Sequence, residues 1–263
     1  MTPAGAPRRC PAARGTLGLV TALRDLRHPG ALVGPLWVVT VGSGPPVVLL
    51  HGNSESHHVF DNLVPHLAGE MTLVGIDSRG HGLSPRGARG LTIAAMADDV
   101  AVTLARLGLD RPLVVGFSDG GNIALELALR HPGAAGRLVV VGANLFPEGL
   151  RPVGKALTDA AHAAAVVGAR VAPNLEPLAE RLGLMVHDPH IDPARLAGLT
   201  QEVLVVVGER DAVRPEHTAL IVDSLPRGRL AVVPGVGHMV PVRAPAQLAD
   251  LVRDLARRPE VAG

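Results

Sequence analysis

The sequence predicts an α/β fold with a mostly parallel central sheet flanked by helices and a short helical cap inserted late in the sheet. Three observations lead there. Short Val- and Leu-rich runs alternate with helical patterns over nearly the whole chain, the signature of crossover helices that return each strand to the same sheet edge. The alternation stops over residues 147–201, which hold two Ala- and Leu-rich helical patterns and no strand, and then resumes. Hydrophobic residues make up 47% of the 263 and charged residues 19%, enough apolar material for one core and too little charge for a disordered chain.

In order, Leu36–Val41 and Pro46–Leu50 read as strands joined by a turn at Gly42–Gly44. A helix-like stretch at Ser56–Leu67 and a strand at Met71–Asp77 follow. Ile93–Leu107 reads as a helix, Pro112–Phe117 as a strand, and Asp119–Arg130 as a helix stopped by His131-Pro132-Gly133. Arg137–Gly142 is the next buried strand. The helical patterns of the insertion lie near Val153–Val171 and Leu175–Val186. Strands at Val203–Val207 and Leu230–Val233 then alternate with helices near Glu216–Leu225 and at Ala244–Arg257. The domain plan is a flexible tail over residues 1–15, a core formed by 16–146 and 202–263, and the cap over 147–201, with no internal repeat.

Composition excludes several classes of function. The 25 basic residues nearly balance the 24 acidic ones, so no broad field invites nucleic acid or an anionic membrane. With no Tyr, one Trp and three Phe, the chain has few rings on which bases or sugars stack. Cys10 is the single cysteine, so no intrachain disulfide forms, and a thiol beside Pro11 in a polar segment is a poor nucleophile candidate. Arg8 and Arg9 precede an apolar stretch, Leu17 to Leu23, that faintly imitates a signal peptide. That stretch runs into Arg24 and Asp25 with no small-residue cleavage site, which argues against export. No run approaches the ~18 apolar residues of a membrane span. A cytoplasmic protein without nucleic-acid or membrane partners is the expectation.

Val114-Val115-Gly116-Phe117-Ser118-Asp119-Gly120-Gly121 sets a serine between two glycines, just after a strand and just before a helix, in the form of a nucleophile elbow. Such a turn strains the serine backbone and exposes its hydroxyl, and side chains at Gly116 and Gly120 would collide with neighbouring backbone. The helix behind it aims free N–H groups and its positive dipole end at any oxyanion nearby. A serine hydroxyl is a weak nucleophile until a base takes its proton, so a histidine and an acid are demanded elsewhere. Asp211 follows the strand Val203–Val207, and His238 follows Leu230–Val233. In a parallel sheet these loops share one edge, where Ser118, Asp211 and His238 can meet. Glu209 is the closest rival for the acid. An oxyanion hole needs two donors, assigned here to the backbone N–H groups of Asp119 and of Asn53, the latter in the loop His51-Gly52-Asn53-Ser54. His51 reads as a structural turn residue rather than a second catalytic histidine.

These segments, with Asp77-Ser78-Arg79-Gly80-His81-Gly82-Leu83-Ser84 and Gly208-Glu209-Arg210-Asp211, resemble the α/β-hydrolase superfamily over roughly residues 36–263. The Ser-Asp-Gly-Gly form looks like the branch of bacterial esterases and biphenyl-hydrolase-like proteins. The resemblance implies the chain order nucleophile, acid, base, which Ser118, Asp211 and His238 follow. It implies that Asp77–Ser84 is a structural turn holding Asp77, Arg79 and His81. It also implies that Asn144 occupies an alternative acid position, where an amide cannot be the anion. Dehalogenases and epoxide hydrolases of that fold carry Asp where this chain has Ser118, which disfavours those activities.

The expected activity is acyl transfer with no cofactor and no metal: Ser118 attacks a small carboxylic ester, thioester or lactone, and water releases the acyl group. Two rivals stand beside it. One is a cofactor-free haloperoxidase or lyase on the same three residues, the other a binding protein that kept the fold and lost turnover. The Asp119 carboxylate either serves the dipole at a helix start or binds substrate by pairing with a cationic group. His187, Asp188, His190 and Asp192 lack helical i, i+4 spacing and are not taken as a metal site. His57 and His58 are expected in a loop or at a helix start near the mouth of the site, and Arg170 and Arg181 in solvent rather than on substrate.

Overall fold

The computed structural model describes residues 29–259. The expectations for the tail, for Cys10 and for the Leu17–Leu23 stretch lie outside the described residues. β1 (Ala31–Val33), β2 (Leu36–Gly42) and β3 (Pro46–Leu50) lead through a 3-10 run at His57–Leu63 to α1 (Val64–Leu67) and β4 (Thr72–Asp77). Next come α2 (Ile93–Leu107), β5 (Leu113–Phe117), α3 (Asp119–Arg130) and β6 (Arg137–Val141). The helices α4 (Pro152–Ala169), α5 (Glu176–His187) and α6 (Pro193–Leu196) precede β7 (Glu202–Arg210), α7 (Pro215–Ser224), β8 (Gly228–Gly237), α8 (Val240–Arg243) and α9 (Pro245–Arg257).

The strands form one sheet of order β1-β2-β4-β3-β5-β6-β7-β8. β2 is antiparallel to both neighbours, and every pair from β4 onward is parallel. Successive residues of a strand face opposite sides, and the sheet divides the core accordingly. Val48 and Leu50 of β3, Val74 and Ile76 of β4 and Val114 of β5 share a cluster with Met96, Val100 and Leu104 of α2 and Ile123 and Leu127 of α3. Val47, Leu49, Leu73 and Val115 belong to the opposite layer, with Phe60, Leu63 and Leu67 and with Leu248, Val252 and Leu255 of α9. Strands covered on both faces must be apolar at every position, which is why they stand out in the sequence as unbroken runs. Each such Val or Leu contributes roughly 1.5–3 kcal/mol by leaving water.

β2 and β3 are joined by the Gly42–Gly44 turn as expected, and β4 lies between them. β3, buried on both faces, takes an interior place, while β2, with Thr40 exposed, is displaced outward. Several elements depart from the sequence reading. The helix-like stretch at 56–67 is a 3-10 run followed by one α-helical turn with Pro65 in its first positions, where the missing N–H is harmless. β7 and β8 outrun their expected ends because they go on pairing past Val207, across a register shift between Gly208 and Arg210. β1 is too short to show a pattern. In the insertion, Ala165 is the buried residue of α4, whose apolar Val153, Leu157 and Val167 face solvent. Among the described residues, no helix is long and apolar enough to cross a membrane.

The parallel register carries the C-terminal ends of β3, β5, β7 and β8 to one edge. α3 meets that edge at very close range: a Cβ on Gly120 would lie 2.0 Å from Leu50 O. Gly120→Ala must therefore push α3 off β3, with an expected loss of about 3 kcal/mol in urea denaturation. An unchanged midpoint would mean that the helix is free to shift.

Candidate active site

Ser118 follows β5 directly with φ 53° and ψ −118°, a conformation that residues with a side chain avoid. Its backbone is held from both sides. The Ser118 N–H donates to Val141 O at 2.7 Å, and its carbonyl accepts from the N–H groups of Gly121 at 2.8 Å and Asn122 at 3.2 Å. The hydroxyl lies 3.0 Å from His238 Nε2, and the other ring nitrogen, Nδ1, lies 2.8 Å from Asp211 Oδ1. One tautomer satisfies both contacts: Nδ1–H donates to the carboxylate while Nε2 accepts from the hydroxyl.

Adjacent strands β7 and β8 deliver the acid and the histidine. The buried Asp211 also accepts at Oδ1 from Val213 N–H and at Oδ2 from Gly208 N–H, each at 3.1 Å. Burial pushes its carboxyl upward, but the hydrogen bond from His238, its charge and the two backbone N–H groups outweigh that, and the net shift is downward. The imidazole rests against Phe117, with ring centroids 5.1 Å apart. Gly142, at φ 62°, leaves room for it, since a Cβ there would come within 2.7 Å of His238 Cε1. The rival acid Glu209 is engaged elsewhere, accepting from Gly235 N–H at 2.9 Å on the exposed rim. Asn144 bonds to Asn122 and to Phe146 O.

β3 lies beside β5, so its loop packs onto the elbow: a Cβ on Gly52 would sit 3.1 Å from Ser118 Cβ. Asn53 and Asp119 are brought side by side, with Asn53 Nδ2 donating to Asp119 Oδ2 at 3.0 Å. The Asp119 N–H belongs to the first turn of α3, where no intrahelical acceptor exists. His51 is buried, donates from Nδ1 to Gly52 O at 2.7 Å and accepts at Nε2 from Ser78 N–H at 2.9 Å. Burial, aided by His81, depresses its pKa to about 4. With both nitrogens engaged and the ring neutral, His51 builds the turn.

Two carboxylates crowd this edge besides Asp211. Asp119 is buried and accepts from Asn53 and, at 3.4 Å, from Asn122. Burial pushes its pKa up to about 6, against the pull of the Asn53 hydrogen bond. Glu55, which sequence reasoning missed, accepts at Oε2 from Gly52 N–H at 3.1 Å. Half-buried, its carboxyl is raised by desolvation and, less strongly, by Asp119, while Gly52 N–H and His238 act the other way. The available signal was an acid three residues past a loop glycine, close enough to fold back on its N–H.

The remaining expectations divide. Asp77 organises the turn after β4, accepting from His57 Nδ1 at 2.7 Å, from His57 N–H and from Leu83 N–H. His57 does begin a helix, yet it is buried against Asp77, while His58 is exposed beside Asp61. Arg79 pairs with Asp99 at 2.5 Å in buried surroundings. Asp188 accepts from Ile93 N–H at the start of α2, Asp192 caps α6, and His187 lies edge-on to His162. Among the described residues, no group of three or more His, Cys, Asp or Glu is placed to hold a metal. Arg170 is exposed as expected, but Arg181 is half-buried, and its charge adds to the burial that lowers the His81 pKa.

Comparison with known proteins gives a family match over residues 45–167, described as the alpha/beta hydrolase fold. The AB hydrolase superfamily protein YisY of Bacillus subtilis is 37% identical over 100 residues, 38% of this chain and 37% of that protein. A soluble epoxide hydrolase of a Corynebacterium is 37% identical over 119 residues, 44% of this chain and 42% of the enzyme. The matched stretch thus spans less than half the length of these curated relatives. Similarity of structure reaches much further. Est816, described as an N-acyl homoserine lactone degrading enzyme, aligns with TM-score 0.70 and 26% identity over 86% of this chain and 99% of its own. A thermophilic esterase from Thermogutta terrifontis aligns with TM-score 0.71 and 22% identity over 89% of this chain and 100% of its own.

The Asp119 environment has a measurable consequence. An acid whose pKa is about 6 when folded and 3.8 when free binds its proton more tightly in the native state. The fold therefore loses stability as pH rises through that window, by about 3 kcal/mol once ionisation is complete. Asp119→Asn is expected to be more stable than the parent at pH 8 by up to about that amount, with the gain vanishing near pH 4. Urea denaturation at the two pH values measures it, and an equal gain at both would assign the effect to something other than charge.

Proposed function

Because this chain belongs to the α/β-hydrolase fold superfamily, we propose that it is a serine hydrolase that cleaves a small carboxylic ester, thioester or lactone through an acyl-enzyme on Ser118. The observation that carries this reading is the relay Ser118 Oγ, His238 Nε2, His238 Nδ1, Asp211 Oδ1, with separations of 3.0 and 2.8 Å. His238 takes the hydroxyl proton as Oγ attacks the carbonyl carbon, and Asp211, held ionised, stabilises the imidazolium that forms. The negative oxygen of the tetrahedral intermediate sits between the backbone N–H groups of Asn53 and Asp119. As the intermediate collapses, His238 passes its proton to the leaving alcohol. Water, deprotonated by the same histidine, then cleaves the acyl-enzyme and restores Ser118.

The helices of residues 147–201 act as the cap over this edge, and their Ala-, Val- and Leu-rich surface suits an uncharged acyl group. Their seat beside the oxyanion loop supports that placement, since Asn53 Nδ2 donates to Arg181 O in α5 at 2.8 Å. The Asp119 carboxylate accepts from both Asn53 and Asn122, which favours a structural role over pairing with a cationic substrate. Ser118 also separates this chemistry from that of an aspartate nucleophile, because a hydroxyl attacks a carbonyl carbon and carries the acyl group, whereas a carboxylate displaces at a saturated carbon and carries the alkyl group.

A fluorophosphonate probe is expected to label the wild-type protein at Ser118 and to leave Ser118→Ala unlabelled. Persistent labelling of that variant, read by mass spectrometry, would move the nucleophile elsewhere. Against p-nitrophenyl esters of increasing acyl length, tested beside lactones, Asp211→Asn should slow turnover on the order of 10⁴-fold. Glu209→Gln should stay within about threefold of the parent, because Glu209 is exposed and bonds to Gly235 N–H rather than to His238. The reverse ranking would give the acid role to Glu209.

A further inference from the structure

The side-chain amide of Asn53 is engaged on every side. Its nitrogen donates to Asp119 Oδ2 at 3.0 Å and to the backbone oxygen of Arg181 at 2.8 Å. Its oxygen accepts from Ser54 Oγ at 2.8 Å. The orientation follows from chemistry, because a carboxylate and a carbonyl only accept, so both must face the NH₂ end. Ser54 holds its own position at φ 58°, a left-handed backbone that residues with a side chain seldom adopt. One planar group thus ties the loop after β3 to the residue that follows the nucleophile and to the second turn of α5, 128 residues away.

These three pieces have different anchors. The loop and the start of α3 rest on the sheet, whereas Ala179 and Leu184 are the buried residues of α5. Among the described residues, its further polar ties to the core run from Glu180 to Arg86 at the exposed surface, where ion pairs hold weakly, and from Asp188, just past its C-terminal end, to Ile93 N–H. The bond from Asn53 to Arg181 O is the tie that also reaches the reacting edge. A carbonyl has two lone pairs, so Arg181 O can accept it without leaving the helix ladder.

Building on the serine-hydrolase reading, we propose that the Asn53 side chain is a positioning residue, latching α5 to the elbow so that both backbone donors of the oxyanion hole align only when α5 is seated. Asn53 and Asp119 each contribute one of those donors, and their side-chain bond sets the distance between them. The bond to Arg181 O makes that distance depend on α5. A shift of α5 reorients the amide, and the Asn53 backbone turns with it. Substrate entry and transition-state stabilisation are coupled through one side chain.

The test compares Asn53→Ala with the double substitution Asn53→Asp and Asp119→Asn. The exchange restores an amide–carboxylate hydrogen bond between the two positions but leaves no donor for Arg181 O. Turnover is counted per active site titrated with the fluorophosphonate, so unfolded protein does not enter, and hydrogen exchange is followed over residues 176–187. Removing one oxyanion donor outright lowers kcat about 10²–10³-fold. Misaligning the pair should lower it about 10–100-fold in both proteins, with KM changed less than about threefold, and amide exchange in α5 should rise in both. Asn53→Ser replaces Asn53→Ala should the latter fail to fold. A kcat near the parent's in the single variant, full recovery in the exchanged pair, or unaltered exchange in α5 would each overturn the latch. If Ser118→Ala keeps its turnover, the hydrolase reading fails, and the exchange measurement still decides whether Asn53 holds α5.

Discussion

Ser118 sits in a backbone conformation that its side chain disfavours, and the contact of α3 with β3 keeps it there. Without a side chain at Gly120 the first turn of α3 reaches Leu50 O, and the sharp turn between β5 and α3 follows from that approach. The strain is balanced by three backbone hydrogen bonds at Ser118 itself and by the packing of α3 into one half of the core. What happens at the edge depends on this turn. It lifts the hydroxyl to His238, and it puts the N–H of Asp119 in the first turn of α3, where no intrahelical acceptor exists.

The electrostatics of that edge rest on carboxylates in unlike surroundings. Asp211 and Asp119 are both buried, yet one is shifted down and the other up. The difference lies in their donors. Asp211 receives His238 and two backbone N–H groups, which favour its charge, whereas Asp119 receives two neutral side-chain amides and no cation. Pairs of acids pushed apart in this way take separate roles. Glu55 adds a third carboxyl, and its bond to Gly52 N–H stiffens the loop that carries Asn53.

Histidines show the same division of labour. His238 lies at a strand end between a hydroxyl and a carboxylate, whereas His51 and His217 are buried and engaged with backbone groups. Burial depresses both to about 4, more than it is opposed by nearby acids. Each keeps a neutral ring as a rigid connector, His217 accepting from Leu145 N–H and packing edge-on against Phe146. Their free pKa lies higher, so they add to stability near neutrality and withdraw it as the pH falls toward 4.

What the sequence by itself determined is whatever short-range pattern dictates. Unbroken Val and Leu runs marked the strands buried on both faces, and glycines around Ser118 marked a turn that side chains could not enter. The positions of Asp211 and His238 just after strands were legible for the same reason, since a parallel sheet gathers such ends at one edge. Tertiary structure alone decided which strands are neighbours. The Gly42–Gly44 turn joins β2 to β3, and β4 lies between them, because strand pairing is settled by burial across the whole sheet and not by the connecting loop. It also decided where polar side chains end: His57 on Asp77, Glu209 on Gly235 and Asn53 on both Asp119 and Arg181. Hydrogen bonds between residues 20 to 128 positions apart depend on distances that only the packed core sets, and no local period encodes them.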